Sequence, residues 1–249
     1  MDAAKRLSAL LTPERISDER RTRLRQRVHR LSRPAWLGTI RRTAPLSEAW
    51  GRDRGTPVDR YYIEQFPEEN RDVIRGRVLE IMNSDYTRRF GQRVETSDVL
   101  DIDAQNPAAT FVADLAAADG VPSEAFDCVI LTQTLQYIFD LPAALDHAHR
   151  ILRPGGTLLC TVPSVSRIGR KYADSEYWRF TATSCSRLLG HAFPAGVVDV
   201  RARGNVLVSV AFLMGMACEE LTRRELEVDD PYFPLVITAR ATRAAAPAL

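Results

Sequence analysis

The sequence predicts an α/β protein: a seven-stranded, largely parallel sheet with helices on both faces and a helical extension ahead of it. The first observation is the stretch FDCVILTQTLQYIFDLPAALDHAHRILRPGGTLLCTVP at 126–163, which reads as a βαβ unit. Its parts are an apolar strand, a polar elbow, an amphipathic helix, a Pro-Gly-Gly turn and a second apolar strand. Such a unit belongs to a parallel sheet covered by helices, and open sheets of this kind bind ligands beyond the carboxyl ends of their strands. The second observation is that apolar runs and helical stretches alternate from about residue 56 onward. The third is size: 249 residues, 45% hydrophobic and 27% charged, suffice for one substantial core.

Taken in order, residues 1–32 carry leucines at 7, 10, 11, 24 and 31 among many charges, which predicts one or two amphipathic helices. Pro34, Pro45, Gly51, Gly55 and Pro57 then break regular structure, so residues 1–55 read as extension and linker and 56–249 as the main domain. A helix is expected around 58–74, followed by strand RVLEIM at 77–82 and a short helix around 86–91. Strands follow at 93–100, 110–115, 127–132 and 157–163. A helix begins near Thr181, with Thr183 or Ser184 as possible caps. Strand VVDVRAR at 197–203, a helix at about 206–221 and strand PLVITARA at 234–241 complete the pattern.

The net charge of +2 gives no reason to expect nucleic acid or an anionic membrane as the main partner. Arginines nonetheless crowd the first 54 positions, and Lys5 and Lys171 are the only lysines. Cys128, Cys160, Cys185 and Cys218 show no CxxC spacing, which favours buried thiols in a reducing compartment over disulfides or zinc. No leader pattern is visible, and the longest apolar run, 206–218, is too short to span a bilayer. The expected location is the cytoplasm, and no metal site is expected because no carboxylate cluster has divalent spacing.

The FDCVI strand, polar elbow, helix ending RILRPGG and strand TLLCTVP resemble the second half of class I S-adenosylmethionine-dependent methyltransferases. The resemblance implies a Rossmann-like methyltransferase sheet whose last strand inserts antiparallel beside the fifth, with S-adenosylmethionine as cofactor. The family's first motif places an acid at the end of strand one before a Gly-x-Gly loop. Here Glu80 and Ile81 are followed by Met82, Asn83, Ser84, Asp85 and Tyr86, without glycine. Asn and Asp tolerate positive φ best after glycine, so the turn can survive. By the same resemblance Asp98, followed by Val99, is expected at the ribose hydroxyls, Asp114 and the Leu115 amide at adenine, and Thr132 and Gln133 at the sulfonium end. Each acid also has a plainer use: Glu80 at a helix N-terminus, Asp98 in a turn, Asp114 as a cap. A nicotinamide-binding domain is disfavoured, because it needs a G-x-G-x-x-G loop for its pyrophosphate.

GTPVDRYYIEQF at 55–66, YTRRFG at 86–91, LTQTLQYIFD at 131–140, EYWRFT at 176–181 and GNVLVSVAFLMG at 204–215 narrow the resemblance. They are similar to a subgroup often associated with glycosyltransferases and with polysaccharide or secondary-metabolite assembly, which implies a small-molecule or glycan acceptor; oxygen is the expected atom, though the sequence pattern itself does not choose among O, N, S and C. Asp59, Arg60, Tyr61 and Tyr62 are placed for a lid, with Gln136, Tyr137, Tyr177, Trp178 and Arg179 as further acceptor contacts. A Tyr-Trp-Arg cluster supplies stacking faces and a planar donor, though it also suits a loop pinned by one buried Trp. No general base stands out: His147 and His149 lie on the helix before the Pro-Gly-Gly turn, facing solvent, and His191 lies on the next. A different class stays open, a scaffold module whose glycine-free loop has lost the cofactor and whose basic extension docks on a partner enzyme or a second copy.

Overall fold

The computed structural model describes residues 41–245, together with Arg20, Arg21 and Gly38. The amphipathic helices expected over 1–32 lie outside the described residues. In chain order the elements are α1 (Val58–Glu69), β1 (Gly76–Ile81), α2 (Asp85–Phe90), β2 (Val94–Asp101), β3 (Phe111–Val112), β4 (Phe126–Thr132) and α3 (Leu141–Ile151). There follow β5 (Leu152–Pro163), α4 (Ala182–Ala192), β6 (Val197–Arg203), α5 (Val206–Met214), α6 (Arg223–Leu226) and β7 (Val236–Thr242).

The strands form one seven-stranded sheet in the order β3-β2-β1-β4-β5-β7-β6. β1, β2, β3, β4 and β5 pair in parallel, and β7 runs antiparallel between β5 and β6. One face packs under α3 and α4, with Leu79, Val129, Leu131, Leu158 and Cys160 meeting Leu145, Ala148, Cys185 and Leu189. The other lies under α1 and α2, where Val78, Cys128, Ile130 and Leu159 meet Phe66 and Phe90. Strands buried on both faces read as unbroken apolar runs, which is why β4 and β5 are so plain in the sequence.

Several boundaries differ from expectation for local reasons. β5 starts at Leu152 because the Pro-Gly-Gly turn is a bulge inside the strand: Gly155 has φ 80° and the β4–β5 register shifts there. The cap of α4 is Thr181, whose hydroxyl accepts from the Ser184 amide while Ser184 Oγ accepts in return; Ser184 is the third helical residue, and Thr183 caps nothing. The helix expected over 206–221 stops at Met214, because Gly215 adopts φ 71° and donates to the Phe212 carbonyl. A Cβ at Gly215 would collide with the Ser47 carbonyl. Beyond it Ala217 bridges to Pro57, then come a 3-10 turn at Cys218–Glu220 and α6.

The compact α/β unit begins at Ala44, not at residue 56. Residues 44–56 form a strap along the end of α5: Leu46 N donates to Met214 O, Cys218 N to Thr56 O, and Thr56 donates twice to Glu219. Arg54 pairs with Glu220. All four cysteines are free thiols, and burial pushes Cys185 up to about 12. Among the described residues no helix is long and apolar enough to cross a membrane, and no cluster of three or more His, Cys, Asp or Glu is placed to hold a metal ion.

Asn205 joins the inserted elements. Its Oδ1 accepts from the amides of Leu207 and Val208 at the start of α5, and its Nδ2 donates to the carbonyls of Glu225 and Val228. Asn205→Ala removes the cap and leaves two carbonyls without their donor. It should cost about 2–3 kcal/mol in urea unfolding, with Asn205→Asp intermediate because it keeps only the cap.

The strap is pH-dependent. The Thr56 amide and hydroxyl hold Glu219 below its ordinary value, and the Arg54 guanidinium with the Ala217 amide lowers Glu220 from 4.5 to about 2. A depressed carboxylate stabilises above its unfolded value and loses that contribution as pH falls through its folded one. Between pH 4.5 and about 2, pepsin should cut within 44–56 before the sheet unfolds, and Glu220→Gln should be cut at higher pH than wild type.

Candidate functional site

The strand order reverses between β1 and β4, since the chain leaves β1 toward β2 and β3 but leaves β4 toward β5. The crevice beyond the carboxyl ends of those two strands is where an open α/β sheet accepts a ligand. Two non-glycine residues with left-handed backbone flank it, Met82 (φ 68°) after β1 and Gln133 (φ 50°) after β4. Held conformations of this kind cost about 1–3 kcal/mol each and gather at ligand sites.

The loop after β1 turns without glycine, and the positive φ falls on Met82, not on Asn83 or Asp85. What holds the turn is Glu80, only 2% exposed. Its carboxylate accepts from Tyr86 N at 3.1 Å, Thr87 N at 2.9 Å and Thr87 Oγ1 at 2.8 Å, pinning the start of α2 to the end of β1. Asn83 Oδ1 accepts from Asp85 N, and Asn106 Nδ2 donates to the Met82 carbonyl. Tyr86 stacks on Phe90, and its hydroxyl accepts from Arg60 of α1 at 2.7 Å.

Asp98 is not at the strand end. It pairs in register with Leu79, is 4% exposed, and is bound at 2.7 Å to Arg77, whose guanidinium lies over the Phe126 ring. Val99 is buried beside it in the sheet. The acid at the end of β2 is Asp101, whose carboxylate accepts from Asp103 N and from Asn106 Nδ2. Asp101 pairs with Val112 at the end of β3, and Asp114 follows, exposed, capping the turn that opens at Leu115. The Leu115 side chain is buried, so its backbone alone can meet a ligand. Beside these acids stand three exposed apolar side chains, Met82 (59%), Ile102 (73%) and Val112 (53%).

On the other side of the crevice, Ile81 and Thr132 end β1 and β4, and Gln133 N donates to Thr161 O. Gln136 Nε2 donates to Gln133 Oε1 at 3.4 Å, while Gln133 Nε2 and Gln136 Oε1 are buried without any partner. The Gln136 carbonyl accepts from Tyr177 N and Trp178 N, which ties the elbow to the loop after β5. Burial raises Tyr137, whose ring lies 5.3 Å from that of Tyr172. Trp178 and Arg179 turn away from the crevice: with Phe139, Pro142, Arg187 and Leu188 they line a separate cleft of about 700 Å³ between α3 and α4. Trp178 stacks on Phe139, and Tyr177 meets Phe139 edge-on.

Other expected contacts are elsewhere. Tyr62 is buried and donates its hydroxyl to Leu226 O, and Tyr61 packs edge-on against it, so both face the α5–α6 insertion. From α1 it is Arg60 that reaches the site, through Tyr86. His147 and His149 are partly buried, not solvent-facing; His149 packs on Phe193, and burial lowers its pKa. His191 ends α4 just before β6. All three stand toward the amino ends of the strands, away from the crevice. Asp101, Asn106 and Ile102 at this end of the sheet were not marked by the sequence pattern; the polar run DAQNP after VLDI was the available sign that β2 ends near 101.

This sheet order, with its antiparallel seventh strand and its crevice at β1 and β4, defines a class I methyltransferase fold. A family model described as a methyltransferase domain matches residues 63–193, more than half of the chain, and the chain belongs to that family. No curated protein matches the chain. Among solved structures, a chain of the Haloferax volcanii complex between the Trm112 methyltransferase activator and a methyltransferase shares 16% identity at TM-score 0.54, covering 82% of this chain and 100% of that one. The [4+2]-cyclase SpnF shares 13% at TM-score 0.52, over 78% of this chain and 84% of that one. A SAM-dependent methyltransferase from Archaeoglobus fulgidus shares 11% at TM-score 0.48, over 74% and 94%. At such identities the likeness is one of fold.

Burial sets Glu80 above its ordinary value of 4.5, against the pull of the Thr87 and Tyr86 hydrogen bonds. A raised carboxylate contributes fully below its unfolded pKa, and the contribution is lost as pH rises through the folded one. As pH rises above 4.5, urea unfolding should therefore show a stability loss in wild type that Glu80→Gln lacks. Glu80→Ala strands the buried Thr87 amide and the part-buried Tyr86 amide and should cost about 2–4 kcal/mol.

Proposed function

We propose that the cofactor lies across the β1–β4 crevice, with Asp101 at the ribose hydroxyls, Asp114 and the Leu115 amide at the adenine edge, and Met82, Ile102 and Val112 against the base. Ile81, Asn83 and Tyr86 shape the methionyl side, and the Thr132–Gln133 backbone meets the sulfonium end. The observation that carries this reading is the row of two acids and three exposed apolar side chains at the ends of β1, β2 and β3. A flat base with polar edges needs an apolar wall and acceptors beside it, and an exposed apolar patch rimmed by polar groups marks a ligand groove. The residues fit the group: the loop after β1 turns without glycine, holding Met82 at positive φ beside the acids and the exposed apolar side chains.

Bound S-adenosylmethionine supplies an electrophilic methyl carbon. The chain supplies orientation, bringing an acceptor atom within about 3–3.5 Å and in line with that carbon. The acceptor is a small molecule or glycan, methylated at oxygen, entering between the β4 elbow and the loop after β5. Gln136, Tyr137 and Tyr177 are the acceptor contacts in this reading; Trp178 and Arg179 hold the loop from the neighbouring cleft. The motifs shared with the subgroup tied to glycosyltransferases and secondary-metabolite assembly support that class.

Isothermal titration with S-adenosylhomocysteine tests the cofactor roles. Asp101→Asn should weaken binding about tenfold or more, the loss of a charge-assisted hydrogen bond. Asp98→Asn should lower stability through Arg77 and leave affinity within about threefold, an energy difference under 1 kcal/mol. Folded protein that gives no heat with either S-adenosylmethionine or S-adenosylhomocysteine contradicts the assignment.

A further inference from the structure

The two glutamines after β4 make an unusual pair. Gln136 is 3% exposed, and its amide touches that of Gln133 at 3.4 Å, yet Gln136 Oε1 and Gln133 Nε2 are buried with no partner. A buried polar atom without a hydrogen bond costs about 1–3 kcal/mol, so two in contact form a destabilising arrangement unless something completes it. Turning both amides over gives the other self-consistent pairing, and it leaves the same kind of remainder: one amide NH2 group and one carbonyl oxygen. Turning over one alone sets like atoms against each other. The remainder is therefore fixed by the two side chains, whichever way each amide is drawn.

We infer that the Gln133–Gln136 pair reads a hydroxyl group on the acceptor. This rests on the methyl-transfer reading above and deepens it. A hydroxyl oxygen accepts from the free N–H and its hydrogen donates to the free carbonyl, which satisfies both atoms with one group. A carboxylate would leave the carbonyl facing negative charge, an ammonium would face the N–H, and an ether cannot donate. The pair sits at the elbow of β4 beside Tyr137, whose ring lies 5.3 Å from that of Tyr172. A site built to hydrogen-bond a substrate hydroxyl rejects analogues lacking it far more strongly than an apolar pocket rejects a methylene.

The test measures phenol against anisole, and cyclohexanol against methoxycyclohexane, by saturation-transfer NMR on the full chain with and without S-adenosylhomocysteine. Wild type should bind each alcohol at least about fivefold more tightly than its methyl ether, a difference of about 1 kcal/mol. Gln136→Met should abolish that preference while its melting temperature holds or rises and its S-adenosylhomocysteine affinity stays within about threefold. Equal binding of alcohol and ether, as expected if water alone satisfies the pair, overturns the inference. So does a preference that survives Gln136→Met, or a stronger preference for benzamide. A tenfold loss of S-adenosylhomocysteine affinity in Gln136→Met reassigns the pair to the cofactor and overturns it as well. Failure of S-adenosylhomocysteine to bind wild type strikes the methyl-transfer reading instead, and the alcohol preference is then read from the unloaded protein.

Discussion

The carboxylate of Glu80 is the interaction on which the ligand side of this protein depends. Three donors from α2 converge on it at the end of β1. In a family whose first loop turns on glycine, this chain turns on a tethered side chain, with Met82 held at positive φ and its carbonyl fixed by Asn106. The energetic logic is substitution: a strained residue costs about 1–3 kcal/mol, and a charged acceptor with several hydrogen bonds offsets it. The same tether extends outward. By fixing α2 it fixes Tyr86 and Arg89, which meet Arg60 and Glu64 one turn apart on α1. The first helix is thereby registered to the cofactor loop.

The sheet supplies what a tether cannot, a direction. Five parallel strands end at one edge, and the reversal between β1 and β4 opens a crevice there. β7 closes the far side in antiparallel sense, and the segment between β6 and β7 forms α5 and α6, bound together by Asn205. The strap at 44–56 covers the end of α5, so this insertion is braced from both chain directions. Strands and helices thus frame the crevice, while the loops at 82–86, 102–110 and 133–137 border it.

Where burial alone determines an element, the sequence shows it. β4 and β5 declare themselves as apolar runs, and the half-exposed edge strand β6 still matches its expected span residue for residue. What was illegible depends on partners distant in the chain. Asp98 matched the expected spacing from Glu80, but its role is set by Arg77 across the sheet and by a strand that continues to Asp101. Tyr61 and Tyr62 looked suited to a lid, yet the α1 face that carries them is turned toward Leu226. The apolar run after Met214 continued the helical pattern, and only the close approach of Ser47 shows why Gly215 ends the helix. The unpaired glutamine atoms leave no sequence signature, because they are defined by what fails to surround them.

A crystal structure of the chain with S-adenosylhomocysteine tests the central claim most directly. The account predicts ribose hydroxyls on the Asp101 carboxylate, adenine between Ile102 and the Asp114–Leu115 turn, and a Glu80-tethered loop that keeps Met82 at positive φ. Ribose bound at Asp98, or a ligand that enters only after the Glu80 contacts to Tyr86 and Thr87 break, would contradict it.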